Sequence, residues 1–401
     1  MRLLRKGAEM DVWEDQTVEA RKERWKALWA LEDLPRPLWF VPASPILTAV
    51  QMYGMQKLPI DELFTDRETQ FQVSMTVNAA FEAMQSASYR DDFIPHLQPQ
   101  MGVGVFASAL GCEVAFPPDQ MPWSYPVIKA GDPAEKVYEL ETPTVRSGLL
   151  ADVLDYAAYF DEKAEHRYPI AMTDLQGPMD TAYLVWDSCD FMVAMYEHPE
   201  EVHHLMRLCT DLMIDFVKEF RSTVAEMVPS HFPPVYLPDG MGLTISEDVM
   251  AVLSPSLYEE FSLPYVNELS EEFGGILVHS CGNFEHQIPT LKKVKGLRGI
   301  NFGVTETRFE AVWEAFGGKT AVIPHCTSET LVADFKNAFE WVEYVLRQKT
   351  TNRGLALMVI PVVGDIHKTE MEVAMGRPVD PGYADMADFG PMIRELVEKY
   401  A

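Results

Sequence analysis

Gly275-Ile-Leu-Val-His279-Ser-Cys281-Gly-Asn283 is the stretch from which the fold and the chemistry of this chain are read together. An apolar run of strand character ends in a His and a Cys two positions apart, and a glycine turn follows at once. Strand residues i and i+2 face the same way, so the imidazole and the thiol project together. A nitrogen and a sulfur from one strand end suit Zn²⁺, whose catalytic sites keep three protein ligands and one open position. A buried His beside an inert core Cys is also written this way. The surrounding chain decides between the two.

Eight runs of strand character are spaced along the sequence: Leu38–Ala43, Phe93–Leu97, Tyr168–Thr173, Pro234–Leu237, Gly275–Ser280, Leu297–Phe302, Thr320–Pro324 and Leu355–Val363. Pro95 and Pro234 disturb the second and the fourth. Helical stretches lie between them, among them Cys189–His198, Pro199–Phe220, Pro255–Phe273 and Glu329–Gln348, with Met386–Tyr400 at the end. Repeated strand–helix alternation implies parallel pairing through crossovers, and eight such units predict an α/β protein built as a closed (β/α)8 TIM barrel. No Gly-x-Gly-x-x-Gly follows the first strand, which places a doubly wound open sheet second. Ahead of the barrel, Val18 to Trp29 carries apolar residues at helical spacing until Pro35 and Pro37 end the pattern. The expected organisation is an N-terminal helical extension, 1–36, and a single barrel domain, 37–401.

Catalytic side chains of such barrels sit at the carboxyl ends of the strands. Six clusters fall there: Asp174; Asp239; His279 with Cys281; Glu306; His325 with Cys326; and Asp365 with His367. His279 and Cys281 supply two metal ligands, Cys326 is a candidate third, and Glu306 a candidate for the fourth position until substrate displaces it. Thiolate and imidazole favour Zn²⁺ over oxygen-seeking Mg²⁺, and the ion would act as a Lewis acid on a thiol or an ether oxygen. Cys326 can also be a small core residue, Glu306 a solvated helix-start carboxylate, and His325 an outer group that orients a ligand. Asp174 and Asp239 are candidates to position substrate or take a proton. Trp123, Tyr125, Tyr183 and Trp186 are candidate pocket walls, although aromatic residues also serve as plain core. Cys112, Cys189 and Cys209 lie away from this rim and are given no chemistry.

With 401 residues, 47% of them hydrophobic, the chain is long enough for a large core. Its formal net charge of -28 argues against nucleic-acid or anionic-membrane binding, which need basic surface. Five scattered cysteines suggest reduced thiols rather than a disulfide framework. No signal-like stretch follows Met1, and no window has the apolar length of a membrane span. A soluble, cytoplasmic protein is expected.

The chain resembles the uroporphyrinogen decarboxylase superfamily and, within it, the zinc-dependent methyltransferases of corrinoid systems. The likeness runs through Arg21-Lys-Glu-Arg-Trp-Lys-Ala27 and Pro35-Arg-Pro-Leu-Trp39, Leu110-Gly-Cys-Glu-Val114 and Trp123-Ser-Tyr-Pro126. It continues in Thr173-Asp-Leu-Gln-Gly-Pro178, Ser246-Glu-Asp-Val-Met250, Leu253 to Phe261, and Val278-His-Ser-Cys-Gly-Asn283. The resemblance implies the TIM barrel, zinc on His279 and Cys281 with a carboxylate on the next strand, which would be Glu306, and a separate corrinoid protein as partner. It also implies O-demethylation or a related transfer, with a methoxylated aromatic, a methylamine or a thiol as the small substrate. Two departures stand out. Methyltransferases of this branch place a last zinc-binding Cys near the final strand, where Leu355–Asp365 has none, so Cys326, Asp365 or His367 would have to replace it. The arginine-rich segment that holds porphyrinogen carboxylates is missing from Pro37–Ser44, which disfavours a polyacidic substrate. The alternative reading is a metal-free decarboxylase in which Asp91, Asp92 or Asp174 stabilises a protonated intermediate. A non-catalytic scaffold comes third, because so many ionisable groups fall on one rim.

Overall fold

The computed structural model describes residues 13–42, 60–118, 121–326, 334–361, 372 and 380–401. Asp365 and His367 lie outside them. Among the described residues there are ten strands: β1 (Leu38–Phe40), β2 (Glu113–Ala115), β3 (Trp123–Tyr125), β4 (Ile170–Ala171), β5 (Met227–Val228), β6 (Leu243–Ser246), β7 (Ile276–Ser280), β8 (Leu297–Gly303), β9 (Ala321–His325) and β10 (Ala356–Met358). β2 and β3 form a small antiparallel hairpin. The remaining eight build the barrel. Six make one parallel sheet in the order β1-β10-β9-β8-β7-β6, and β4 pairs in parallel with β5. Thr244 N to Pro229 O at 3.0 Å joins the two arcs directly, and the segment 92–97 bridges the other gap, with Ala171 N bonded to Leu97 O at 2.7 Å and Asp92 N to Trp39 O at 2.8 Å. The ring is that of a TIM barrel, and its long strands read as continuous apolar runs because helices cover the outer face.

Two of the expected strands are corrected. Pro234–Leu237 forms no strand; Pro233, Pro234 and Pro238 remove the N–H donors a ladder needs. The neighbouring chain takes its place, as β5 before it and β6 after it, and β6 starts from Gly242 at a φ of +136° that favours glycine. Phe93–Leu97, interrupted by Pro95, contributes only the parallel bridge of Leu97 to Ile170. Among the helices, Pro255–Phe273 divides into Pro255–Phe261 and Leu263–Phe273, because Pro264 has no N–H to continue the ladder.

The helix Val18–Trp29 closes the amino-terminal mouth of the barrel. Thr17 caps it, its side chain accepting from Ala20 N at 3.3 Å. Trp25 and Trp29 stack at 5.9 Å and are buried. Trp29 packs against Gly299, near the start of β8, where a Cβ would stand 3.3 Å from the indole. Large aromatic groups buried in this way are worth about 3–5 kcal/mol each. The floor being sealed, access is from the other end. No helix among the described residues is long and apolar enough to cross a membrane.

Candidate active site

The register of three neighbouring strands assembles the centre of the site. Ser246 pairs with His279 and His279 with Asn301, so these three residues form one layer of the barrel. Asp248 lies two residues beyond Ser246, as Cys281 lies two beyond His279. Cys281 N accordingly donates to Asp248 Oδ1 at 2.6 Å. Donor atoms of Asp248, His279 and Cys281 lie within 4.8 Å of one another, and among the described residues this is the one such group able to hold a metal ion.

Hydrogen bonds decide the His279 tautomer. Asn301 Nδ2 donates to Ile323 O at 2.5 Å, which leaves Asn301 Oδ1 as the acceptor for His279 Nδ1, 2.6 Å away. The ring proton is therefore on Nδ1, and the Nε2 lone pair faces Cys281 Sγ at 3.1 Å. This is how proteins orient a metal-ligating histidine. Burial lowers the His279 pKa, with Asp248 and Asn301 opposing, so the ring is neutral as a ligand must be. Crowding away from water, and then the carboxylates of Asp248, Glu306, Asp180 and Asp174, push the Cys281 thiol up to about 12. A nitrogen, a sulfur and a carboxylate oxygen converging in this way fit a divalent zinc ion, which would also stabilise the thiolate.

A second ring of groups fixes Asp248. Asp180 accepts from the backbone of Asp248 at 2.6 Å and of Val249 at 2.9 Å. Glu247 N donates to His279 O at 2.8 Å, and the Glu247 carboxylate accepts from Ser262 at 2.6 Å. Both acids are buried. Burial, then the neighbouring carboxylates, hold Asp180 well above the ordinary range, and burial carries Glu247 up to about 7.

The group opens into a cleft of about 400 Å³, walled by Phe64, Val103, Met121, Trp123 and Phe232. Asp174 enters it just past β4; Gln176 Nε2 donates to Oδ1 at 2.7 Å, and His231 Nε2 stands 3.6 Å from the same oxygen without a hydrogen bond. Burial raises Asp174 to about 6. His231 is buried too, between Thr244 Oγ1 and Ser246 Oγ, each 3.1 Å from a ring nitrogen, and burial lowers it to about 3. No Lys or Arg is among the described lining residues.

The expected residues fare differently. His279, Cys281 and Asp174 meet in the cleft, and Trp123 stands at its edge, 59% exposed. Tyr183 lines an adjoining hollow that shares Gln176 and Asp248 with the cleft. Tyr125, on the hairpin, faces solvent and is not among the cleft residues, and Trp186 is buried core, packed on Phe191. Glu306 folds back over Gly303 at the end of β8 and accepts from Thr305 Oγ1 at 2.8 Å. Cys326 follows β9 and is 1% exposed. Neither belongs to the group within 4.8 Å. Asp239 is a correction: it precedes β6 rather than ending a strand, so it lies at the opposite end and pairs on the surface with Arg221 at 2.7 Å. Asp91 and Asp92 hydrogen-bond to the backbone of Val41 and Trp39 and do not line the cleft. Sequence reading missed Asp248. Its signal was the short apolar run Leu243–Ile245 leading straight into Ser-Glu-Asp, the pattern used to find the other rim residues.

Comparison with known proteins agrees with this architecture. The profile of the family Uroporphyrinogen decarboxylase (URO-D) matches residues 100–358, a span that contains Asp174, Asp248, His279 and Cys281. Among curated proteins, none matches the sequence significantly. Among solved structures, a methyltransferase from Methanosarcina mazei superposes with a TM-score of 0.57 over 96% of this chain and 99% of its own, at 12% identity. That likeness is one of fold.

Proposed function

The chain belongs to the uroporphyrinogen decarboxylase (URO-D) family, and from that footing we propose that it is a zinc-dependent methyltransferase moving a methyl group between a small substrate and a corrinoid protein. The observation that carries the reading is the convergence of Asp248, His279 and Cys281 at the cleft. These three residues would hold the ion, with Glu306 on the next strand end as a further donor. The fold shared with the Methanosarcina mazei methyltransferase supports the same direction. When bound, zinc supplies Lewis acidity to the heteroatom that gives up or receives the methyl group.

The chain's own groups do the rest. Asn301 keeps the proton on His279 Nδ1, so the lone pair stays available on Nε2. Asp180 clamps the backbone at Asp248. Phe232, edge-on to His279 at 4.6 Å, and Phe64 give the cleft an apolar wall against water. A decarboxylase of polyacidic rings fits less well, because the described lining offers no cationic side chain to receive carboxylates.

The test is elemental analysis of the purified protein beside His279→Ala and Cys281→Ala, together with transfer of methyl groups to added corrinoid. Near-stoichiometric zinc in the parent and loss of both metal and transfer in the variants is the expected result. Full activity in a metal-free variant would sink the proposal.

A further inference from the structure

We infer that the substrate carries a positively charged nitrogen, as an ammonium-bearing thiol or ether, and that Asp174 receives that charge. The inference rests on the metal reading above and adds the substrate class to it. Charge counting in the cleft leads there. The described lining side chains that carry charge or coordinate are Asp174, Asp248, His231, His279 and Cys281, without a Lys or an Arg. His231 lies between the Thr244 and Ser246 hydroxyls, and His279 between Asn301 Oδ1 and the Cys281 sulfur, so each ring has its hydrogen-bond partners away from Asp174. The Asp248 carboxylate and the Cys281 thiolate together balance a divalent ion. Asp174, the other carboxylate of the described lining, is then left without a counter-charge there.

Its surroundings are those of a receptor rather than of a structural ion pair. The Asp174 side chain is 19% exposed, and that exposure opens into the cleft. The Gln176 amide at 2.7 Å holds it in place without neutralising it, and the His231 ring stands 3.6 Å away. A carboxylate desolvated in this way is costly until a cation meets it. The walls suit a cation's carbon skeleton, since aromatic faces attract ammonium groups and Trp123 stands at the mouth. The net charge of -28 favours the approach of a positive ligand from solution. A molecule of this class places its heteroatom at Asp248, His279 and Cys281 while its nitrogen turns to Asp174. Neutral methoxylated aromatics leave that carboxylate unpaired.

Three probes of nearly equal shape test this: methylthioethylamine, a cation; methylthioethanol, neutral; and methylthiopropanoate, an anion. Calorimetric titration at neutral pH into zinc-loaded and into chelator-treated protein should show the cation binding about tenfold or more tighter than the neutral probe, as a charge-assisted hydrogen bond implies. Asp174→Asn, checked for folding by its melting curve, should bring the two within about twofold. Asp174→Glu should keep the preference. Equal binding of cation and neutral probe by the parent, a preference that survives in Asp174→Asn, or binding of none of the three overturns the inference. The metal reading fails separately. Protein that retains no zinc yet prefers the cation loses the metal and keeps the cationic site, whereas zinc-loaded protein without the preference loses this inference alone.

Discussion

Asp92 lies between two guanidinium groups, Arg24 at 2.6 Å and Arg36 at 2.8 Å, and accepts from Trp39 N at 3.1 Å. Asp174 has an amide and a neutral imidazole for company. Burial alone would raise both pKa values, yet Arg36 and Arg24 outweigh it at Asp92 and hold that acid below its ordinary range, while Asp174 rises to about 6. Each site answers the cost of desolvation differently. At the sealed, amino-terminal end of the barrel the protein brings its own counter-charges and ties Val18–Trp29 to the sheet. At the open end it leaves a carboxylate with no Lys or Arg among the described lining residues. A buried acid whose partners are all supplied by the fold is structural; one whose cation is missing marks where something else binds.

The largest expected effect breaks the first half of this contrast. Asp92→Asn strands two buried or half-buried arginines beside a neutral amide. Removing one member of a buried ion pair costs about 3–5 kcal/mol, so denaturant unfolding should show a loss of that size and a strong fall in melting temperature. A change below about 1 kcal/mol, the size of an exposed pair, would mean that the arginines are satisfied by water and that the contrast is false.

A smaller effect of opposite sign is expected at Asp174. Its carboxyl titrates near 3.8 in the unfolded chain and at about 6 when folded. The folded state therefore keeps a proton that the unfolded state releases, and stability falls as pH rises between those values. Above about pH 6 the ionised group costs folding on the order of 2 kcal/mol, allowing for its partial contact with water. Gln176, His231, Asp248 and His279 surround it; burial lowers both histidines, and His231, at about 3, lies below that window. Asp174→Asn should thus stabilise the metal-free protein by about 1–2 kcal/mol at about pH 8 and leave it unchanged at about pH 4. Glu247 titrates in the same region, so the parent-minus-variant difference is the quantity to read. Destabilisation at high pH would show that the carboxylate is already compensated.

The two acids also show how far sequence reaches. His279 and Cys281 were legible because a strand enforces a period of two, whatever surrounds it. Asp174 was legible because it ends an apolar run. Asp248 was not, since β6 spans only Leu243–Ser246 and the more apolar-looking Pro234–Leu237 drew the assignment. Prolines deny that segment its ladder, which a count of apolar residues overlooks. Trp186 could not be told from a pocket wall by residue type, because an indole serves equally well in a core. The Asn301 contact that orients His279 depends on register between β7 and β8, and register is set by pairing across the barrel rather than by any local pattern.

The smallest expected effect is at Asp239. A strand ending at Leu237 would put Asp239 at the rim; it stands instead ahead of β6, 53% exposed, facing Arg221 across 2.7 Å. Exposed pairs contribute about 0–1 kcal/mol and less in salt, since water screens the attraction and two long side chains lose freedom in forming it. Asp239→Asn should shift unfolding by less than about 0.5 kcal/mol, and zinc content and probe binding should match the parent. Loss of metal or of the cation preference in this variant would return Asp239 to the site and would require the β5–β6 connection to run differently, since on the present course it leaves the cleft after His231 and Phe232, passes Asp239 at the floor of the barrel, and the chain returns to the cleft only at Ser246, the end of β6.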